Sequence, residues 1–149
     1  MTTITKPRPS TDQRRAEHAW DVIDRVLHEF PPKGEDSHPK AKEFGRLTKN
    51  LPTRILASGL GQALAFLLAK GTGEKPTELL LQHLGDWLLD KRWNPASTSI
   101  PPKPVELLKK IIRTDAMYLR RTTDEAIAYL QWLKRFAEAR GLTKGDDNV

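Results

Sequence analysis

Leu51-Pro52-Thr53-Arg54-Ile55-Leu56-Ala57-Ser58-Gly59-Leu60-Gly61-Gln62-Ala63-Leu64-Ala65-Phe66-Leu67-Leu68-Ala69-Lys70 is the stretch that decides the fold. From Ile55 onward apolar residues recur as Ile55, Leu56, Gly59, Leu60, Ala63, Leu64, Leu67 and Leu68, the broad i, i+3, i+4, i+7 stripe of a helix. Pro52 suits a first helical turn, where no amide donor is needed and φ is already set. The reading is a single core helix over 52–70, roughly 30 Å long at about 1.5 Å per residue. Few polar residues interrupt it, so it is expected to be buried on most sides, with other helices packed around it.

Amphipathic segments lie on both sides. Ser10, Thr11 or Asp12 is placed to cap a first helix that runs to about Phe30, with Ala16, Ala19, Trp20, Ile23, Val26, Leu27 and Phe30 facing in. Pro31-Pro32 stops it, and 31–39 reads as a surface loop. A second helix is expected over about 40–50. Phe44, Leu47 and Leu51 share one side, and Lys42, Arg46 and Lys49 the other. Leu51, preceding a proline, is biased away from α geometry, so a sharp bend is expected at Leu51-Pro52.

Gly71-Thr72-Gly73 ends the core helix. Thr77 is the expected cap of a fourth helix reaching about Arg92, with Leu80, Leu81, Leu84, Trp87 and Leu88 inward. The Pro- and Ser-rich stretch 94–104 is the most loop-like in the chain. A fifth helix starts near Pro104, with Val105, Leu108, Ile111, Ile112 and Leu119 facing in. Thr122-Thr123-Asp124-Glu125 fits a capping box that opens a sixth. The sixth carries Ala126, Tyr129, Leu130, Leu133, Phe136 and Ala137 and stops at Gly141. No window alternates as a strand does. The expected fold is all-α, a single-domain bundle of about six helices over 11–141, flanked by a disordered arm (1–10) and a disordered tail (142–149).

Composition narrows the chemistry. The 149 residues contain no cysteine, which excludes disulfides, thiolate metal sites and cysteine nucleophiles. The start is polar and Pro-rich, without the apolar centre of a signal peptide, and the longest apolar run is too short for a bilayer; a cytoplasmic protein is expected. The net charge of +6 is unevenly spread. Residues 40–70 hold six basic side chains against Glu43 alone, and basic patches attract polyanions.

No catalytic site is expected. His18, His28, His38 and His83 are dispersed, with no metal-ligand spacing, and no metal or cofactor is implied. Gly59-Leu60-Gly61 and Gly71-Thr72-Gly73 follow no strand and lack phosphate-loop spacing, so close packing and helix capping account for them. Asp86 and Asp90 share a helix face as solvated charges. Trp20, Trp87 and Trp132 belong to apolar stripes; Trp93, at a helix end, is the aromatic left for stacking.

The candidate binding residues are Lys42, Arg46 and Lys49, one helical turn apart and suited to phosphates. Lys70, Arg121, Lys134 and Arg135 are secondary candidates, the last three in a looser set that includes Arg113 and Arg120.

Two groups of residues resemble one family. Leu51-Pro52, Ser58-Gly59-Leu60 and Gln62-Ala63-Leu64-Ala65-Phe66-Leu67 with Lys70 form the first. Tyr118, Thr123-Asp124-Glu125-Ala126 and Trp132-Leu133-Lys134-Arg135-Phe136-Ala137-Glu138 form the second. Both resemble the small subunit of the type III-B CRISPR effector, the Cmr complex; Ser58 stands where that family usually has Asn. The resemblance implies a non-catalytic, all-helical subunit of an RNA-guided antiviral complex. Its partners would be the backbone and large subunits, further copies of itself in an inner filament, and the guide and target RNA. The alternatives are a helical DNA-binding regulator turning at Leu51-Pro52, which the apolar following helix disfavours, a small helical interaction protein outside CRISPR, and a helical enzyme with an unrecognised site.

Overall fold

The computed structural model describes residues 7–71, 73–89 and 104–143, and among these it contains six helices and no strand beyond an isolated bridge between Lys33 and Asp36. They are α1 (Thr11–Glu29), α2 (Pro39–Ser58), α3 (Leu60–Gly71), α4 (Lys75–Leu88), α5 (Pro104–Arg113) and α6 (Ala116–Ala139). The all-α expectation is met. Residues 1–6 of the expected arm, 144–149 of the tail, and 90–103 with Asp90, Trp93 and most of the expected loop lie outside the described residues.

α1 starts as read. Ser10 Oγ accepts from the Gln13 amide at 3.1 Å, and Gln13 Oε1 accepts from the Ser10 amide at 2.7 Å, a reciprocal cap. Ala19, Val22, Ile23 and Val26 turn inward, but Trp20 is 41% exposed, edge-on to Phe136.

The deciding stretch folds differently from its reading. The helix does not end at Leu51-Pro52; α2 runs through Pro52 to Ser58, and the chain breaks at Gly59. Two helices of 20 and 12 residues replace the expected pair over about 40–50 and 52–70. An internal proline forfeits one backbone hydrogen bond and costs about 3 kcal/mol. The offset comes from burial, because Ala41, Phe44, Thr48, Leu51, Pro52 and Ile55 form one uninterrupted buried stripe. The break needs glycine: Gly59 has φ 86° and ψ 159°, a region closed to L side chains. Its amide still closes α2 on the Ile55 carbonyl at 2.8 Å. Leu56, read as part of the stripe, is 74% exposed.

A Cβ at Gly59 meets nothing within 4 Å, so a substitution there acts on the backbone alone. Gly59→Ala is expected to cost about 1–3 kcal/mol, the strain of a forced residue in that region. Urea unfolding measures it; an unchanged midpoint would mean that the break does not depend on glycine.

α3 packs on α4, α2 on α3, α4 and α6, and α6 runs along α1, while α5 lies against α3 and α4. Gly71 permits the α3–α4 approach, since a Cβ there would stand 2.7 Å from the Thr77 methyl. Thr77 is therefore buried inside α4 and caps nothing; the helix begins two residues earlier, after Glu74.

In α5, apolar residues occupy two overlapping stripes, and the buried one is Leu107 and Ile111. Val105 and Ile112, expected inside, are 37% and 69% exposed, and Leu119, at 36%, belongs to α6. α6 opens at Asp115, whose carboxylate accepts from the Tyr118 amide at 2.8 Å. The expected capping box is helix interior. Thr122 and Thr123 donate back to the carbonyls of Tyr118 (2.8 Å) and Leu119 (2.7 Å).

The end of α6 is a Schellman motif. Gly141 has φ 79°, its amide donates to Glu138 O at 3.0 Å, and the Leu142 amide donates to Ala137 O at 2.9 Å. Leu142 is buried, and a Cβ at Gly45 would come within 2.8 Å of its Cβ. The packed chain thus extends through Leu142 and Thr143, both placed in the tail by the sequence reading.

Candidate nucleic-acid interface

Because α2 continues through Pro52, its cationic face is longer than the sequence reading allowed. Lys42 and Arg46 are exposed and Lys49 is partly exposed, as expected of the face opposite Phe44, Leu47 and Leu51. Arg54, two turns beyond Arg46, stands at the edge of this face that meets α3. Sequence reasoning missed it by assigning it to the next helix. The signal that finds it is the i, i+4, i+8 spacing of Arg46, Asn50 and Arg54, read straight through the proline.

α3 folds back beside this face. Arg46, Leu47, Asn50, Leu51 and Arg54 of α2, with Phe66, Leu67 and Lys70 of α3, line one cleft of about 90 Å³. Leu47, Leu51 and Leu67 are buried and form its floor. The Arg54 guanidinium lies over the Phe66 ring, 3.7 Å from its centre. Glu43 pairs with Arg46 and stands 3.9 Å from the Lys70 ammonium, so one carboxylate holds two of the cations. The structure therefore brings Arg46 and Lys70 together.

The other candidates sit elsewhere on α6. Arg121 lines a wider cleft of about 570 Å³ with Arg15, Tyr118, Thr122, Asp124, Glu125 and Ala128. Asp124 and Glu125 line the same cleft, which is therefore of mixed charge. Arg135 pairs with Glu138 at 3.2 Å, and Lys134 is partly buried. At about 1.5 Å per residue, Lys134 and Arg135 lie about 20 Å along α6 from Arg121, so the three do not form one site.

Two polar networks tie α1, α4 and α6 together. In the first, Glu125 is buried and accepts from Arg15 Nε at 2.5 Å, Arg15 Nη2 at 2.8 Å and the Trp87 indole at 3.1 Å. Asp12 extends it, accepting from Arg15 at 3.1 Å and from Trp132 at 2.9 Å; these contacts, led by the Trp132 indole, hold its carboxyl below the usual range.

In the second, His18 joins Asp86 (Nε2, 2.8 Å) to the Tyr129 hydroxyl (Nδ1, 2.6 Å). This Asp–His–Tyr chain has the connectivity of a relay, but the Tyr129 phenol is buried completely, and burial pushes its pKa well up. A neutral, enclosed phenol meets no substrate, so the chain holds helices together. Among the described residues, no group of three or more His, Asp or Glu is placed to hold a metal ion, and no helix is long and apolar enough to cross a membrane.

Helices alone, a basic excess and a cation-rimmed cleft between α2 and α3 define a small, basic, all-helical protein. Residues 11–140 match the family described as CRISPR-associated protein (Cas_Cmr5), and the chain belongs to that family, the small subunit of the type III-B Cmr complex. The fold agrees with the crystal structure of a CRISPR-associated Cmr5 family protein from Thermus thermophilus. The two superpose with a TM-score of 0.66 at 24% identity, covering 88% of this chain and 97% of that one.

Proposed function

We propose that this chain is a non-catalytic subunit that supports the guide–target RNA duplex in the inner filament of the Cmr complex, using the cationic face of α2. The observation that carries the reading is the alignment of Lys42, Arg46 and Lys49 along one face of α2, with Arg54 and, from α3, Lys70 in the cleft that Arg46 borders. Such a row neutralises successive phosphates and reads no bases, which suits a guided complex in which base pairing supplies the sequence selectivity. The backbone and large subunits and further copies of the chain are its proposed neighbours. The DNA-regulator alternative loses the turn it required, because α2 continues as a helix through Leu51-Pro52.

Changing Lys42, Arg46 and Lys49 together to Ala is expected to weaken RNA binding by the assembled complex by about tenfold at physiological salt. The slope of log K against log salt should flatten by up to about 0.7 per lost single-strand contact. All three side chains project away from the buried stripe of α2, so folding should be unaffected. Filter binding across a salt series tests this, and an unchanged slope would exclude the face.

A further inference from the structure

We propose that the Arg54–Phe66 pair is a stacking site for one unpaired nucleotide of an RNA strand, with the adjoining phosphates held by Arg46 and Lys70. The proposal rests on the reading of the α2–α3 surface as RNA-facing and adds what that surface recognises.

Phe66 is 41% exposed, although Ala63, about one turn before it, and Leu67, next to it in α3, are buried completely or nearly so. Its ring is not left bare: the Arg54 guanidinium lies on it at 3.7 Å, well inside the roughly 6 Å reach of a cation–π contact. The pair makes a flat, cationic, polarisable platform at the mouth of the cleft. Nucleobases stack on aromatic faces and on guanidinium planes alike.

The shape selects the occupant. A cleft of about 90 Å³ with an apolar floor of Leu47, Leu51 and Leu67 admits the edge of one planar group and nothing as broad as a duplex. Within a duplex each base face is covered by its neighbours, so only an unpaired base offers one to the platform. Asn50, on the cleft wall, presents a carbonyl and an amide, so it can answer a donor or an acceptor on any base edge.

Charge selects the strand. Glu43 holds Arg46 directly and lies 3.9 Å from Lys70, occupying the position a phosphate would take between the two cations. A phosphate displaces the carboxylate at little cost, since both cations are already gathered and partly exposed. A free nucleotide and an RNA strand share this chemistry. The strand is the assigned ligand because Lys42 and Lys49 continue the cationic row away from the cleft, where further phosphates of the same strand can lie.

The test uses the assembled complex and oligoribonucleotides carrying 2-aminopurine, either single-stranded or annealed to a complement. Phe66→Ala and Phe66→Leu should each weaken single-strand binding about fivefold or more and restore the fluorescence that stacking quenches, while Phe66→Trp keeps both. Leu retains the apolar bulk without a π face, so its failure separates stacking from simple coverage. Duplex affinity and the salt slope should not change in any Phe66 variant. Unchanged single-strand affinity, or equal losses for single strand and duplex, would overturn the stacking site. Competition by micromolar adenosine monophosphate would overturn the strand assignment in favour of a free nucleotide. The Lys42, Arg46 and Lys49 triple substitution reports separately on the phosphate face: a flattened slope there with inert Phe66 variants leaves the proposed function standing and removes the stacking site alone.

Discussion

Replacing Glu125 by Ala is expected to lower the unfolding free energy by about 3 kcal/mol, the low end for breaking a buried ion pair because Arg15 keeps a fifth of its side-chain surface in water. The Glu125 carboxylate, 8% exposed, serves three donors on two other helices: two from Arg15 of α1 and one from the buried Trp87 of α4. Without it, the Arg15 guanidinium is left with Asp12 as its anion and the Trp87 indole loses the hydrogen bond to this carboxylate. For a domain of this length the melting temperature should fall by roughly 10 °C.

Glu125→Gln should cost less, because an amide oxygen still accepts from one donor. The double variant Arg15→Met with Glu125→Leu should cost less than the two single changes summed, since it removes both charges together and leaves apolar groups in their place. Urea midpoints of the four proteins close the cycle. Additive losses would show that the two side chains act independently and that the pair is not what joins α1 to α6.

Glu125 also illustrates where sequence reading fails. Thr122 and Glu125 carry capping-box spacing, and nothing local distinguishes a box at a helix start from the same residues inside a helix. The distinction comes from Asp115, seven residues earlier, and from an arginine 110 positions away in the chain. Pro52 is the same kind of failure. Its local preference favours a helix start, but the apolar stripe that continues through it from Ala41 to Ile55 outweighs one lost hydrogen bond. The helices that were legible, α1 and α4, are those in which one amphipathic stripe dominates and no internal proline competes. In α5 two apolar stripes overlap, and only the packing against α3 and α4 selects Leu107 and Ile111.

The candidate site divides along the same line. The cationic row of α2 was visible because it lies on one helix, where periodicity is enough. Its junction with Phe66 and Lys70 was not, because the break at Gly59 sets how α3 returns. Reading the break seven residues too early placed Arg54 and Phe66 on one helix and concealed that they stack on each other between two.

Between pH 6.5 and pH 4, acidification is expected to remove up to about 3 kcal/mol of stability through one residue, His83. Its side chain is buried in α4, beside a cleft of about 520 Å³ lined by Asp24, Arg25, Val26, His28 and Glu29 of α1 and by Leu79 and Gln82 of α4. Burial pushes its pKa down from 6.5 to about 4; His18 and Arg25 act in the same direction, and Asp86 opposes them. Above pH 6.5 the imidazole is neutral in both the folded and the unfolded chain, and pH has no effect through this group. As pH falls below 6.5 the unfolded chain takes up a proton that the folded chain refuses, so stability drops by about 1.4 kcal/mol per pH unit until the folded pKa is reached. Below pH 4 both states are protonated, and this contribution is level. Asp12 and Glu29, whose carboxyls are held below their ordinary range by Trp132 and Lys75 respectively, are present in both proteins compared below, so their contribution is common to the two. His83→Gln removes the titrating group while keeping a polar side chain of similar size, so its urea midpoint should stay level from pH 6.5 to pH 4.5 where that of the unaltered protein falls. If both proteins lose stability in parallel over that range, the proton is taken up elsewhere and His83 is not the buried neutral base that its position between α1 and α4 requires.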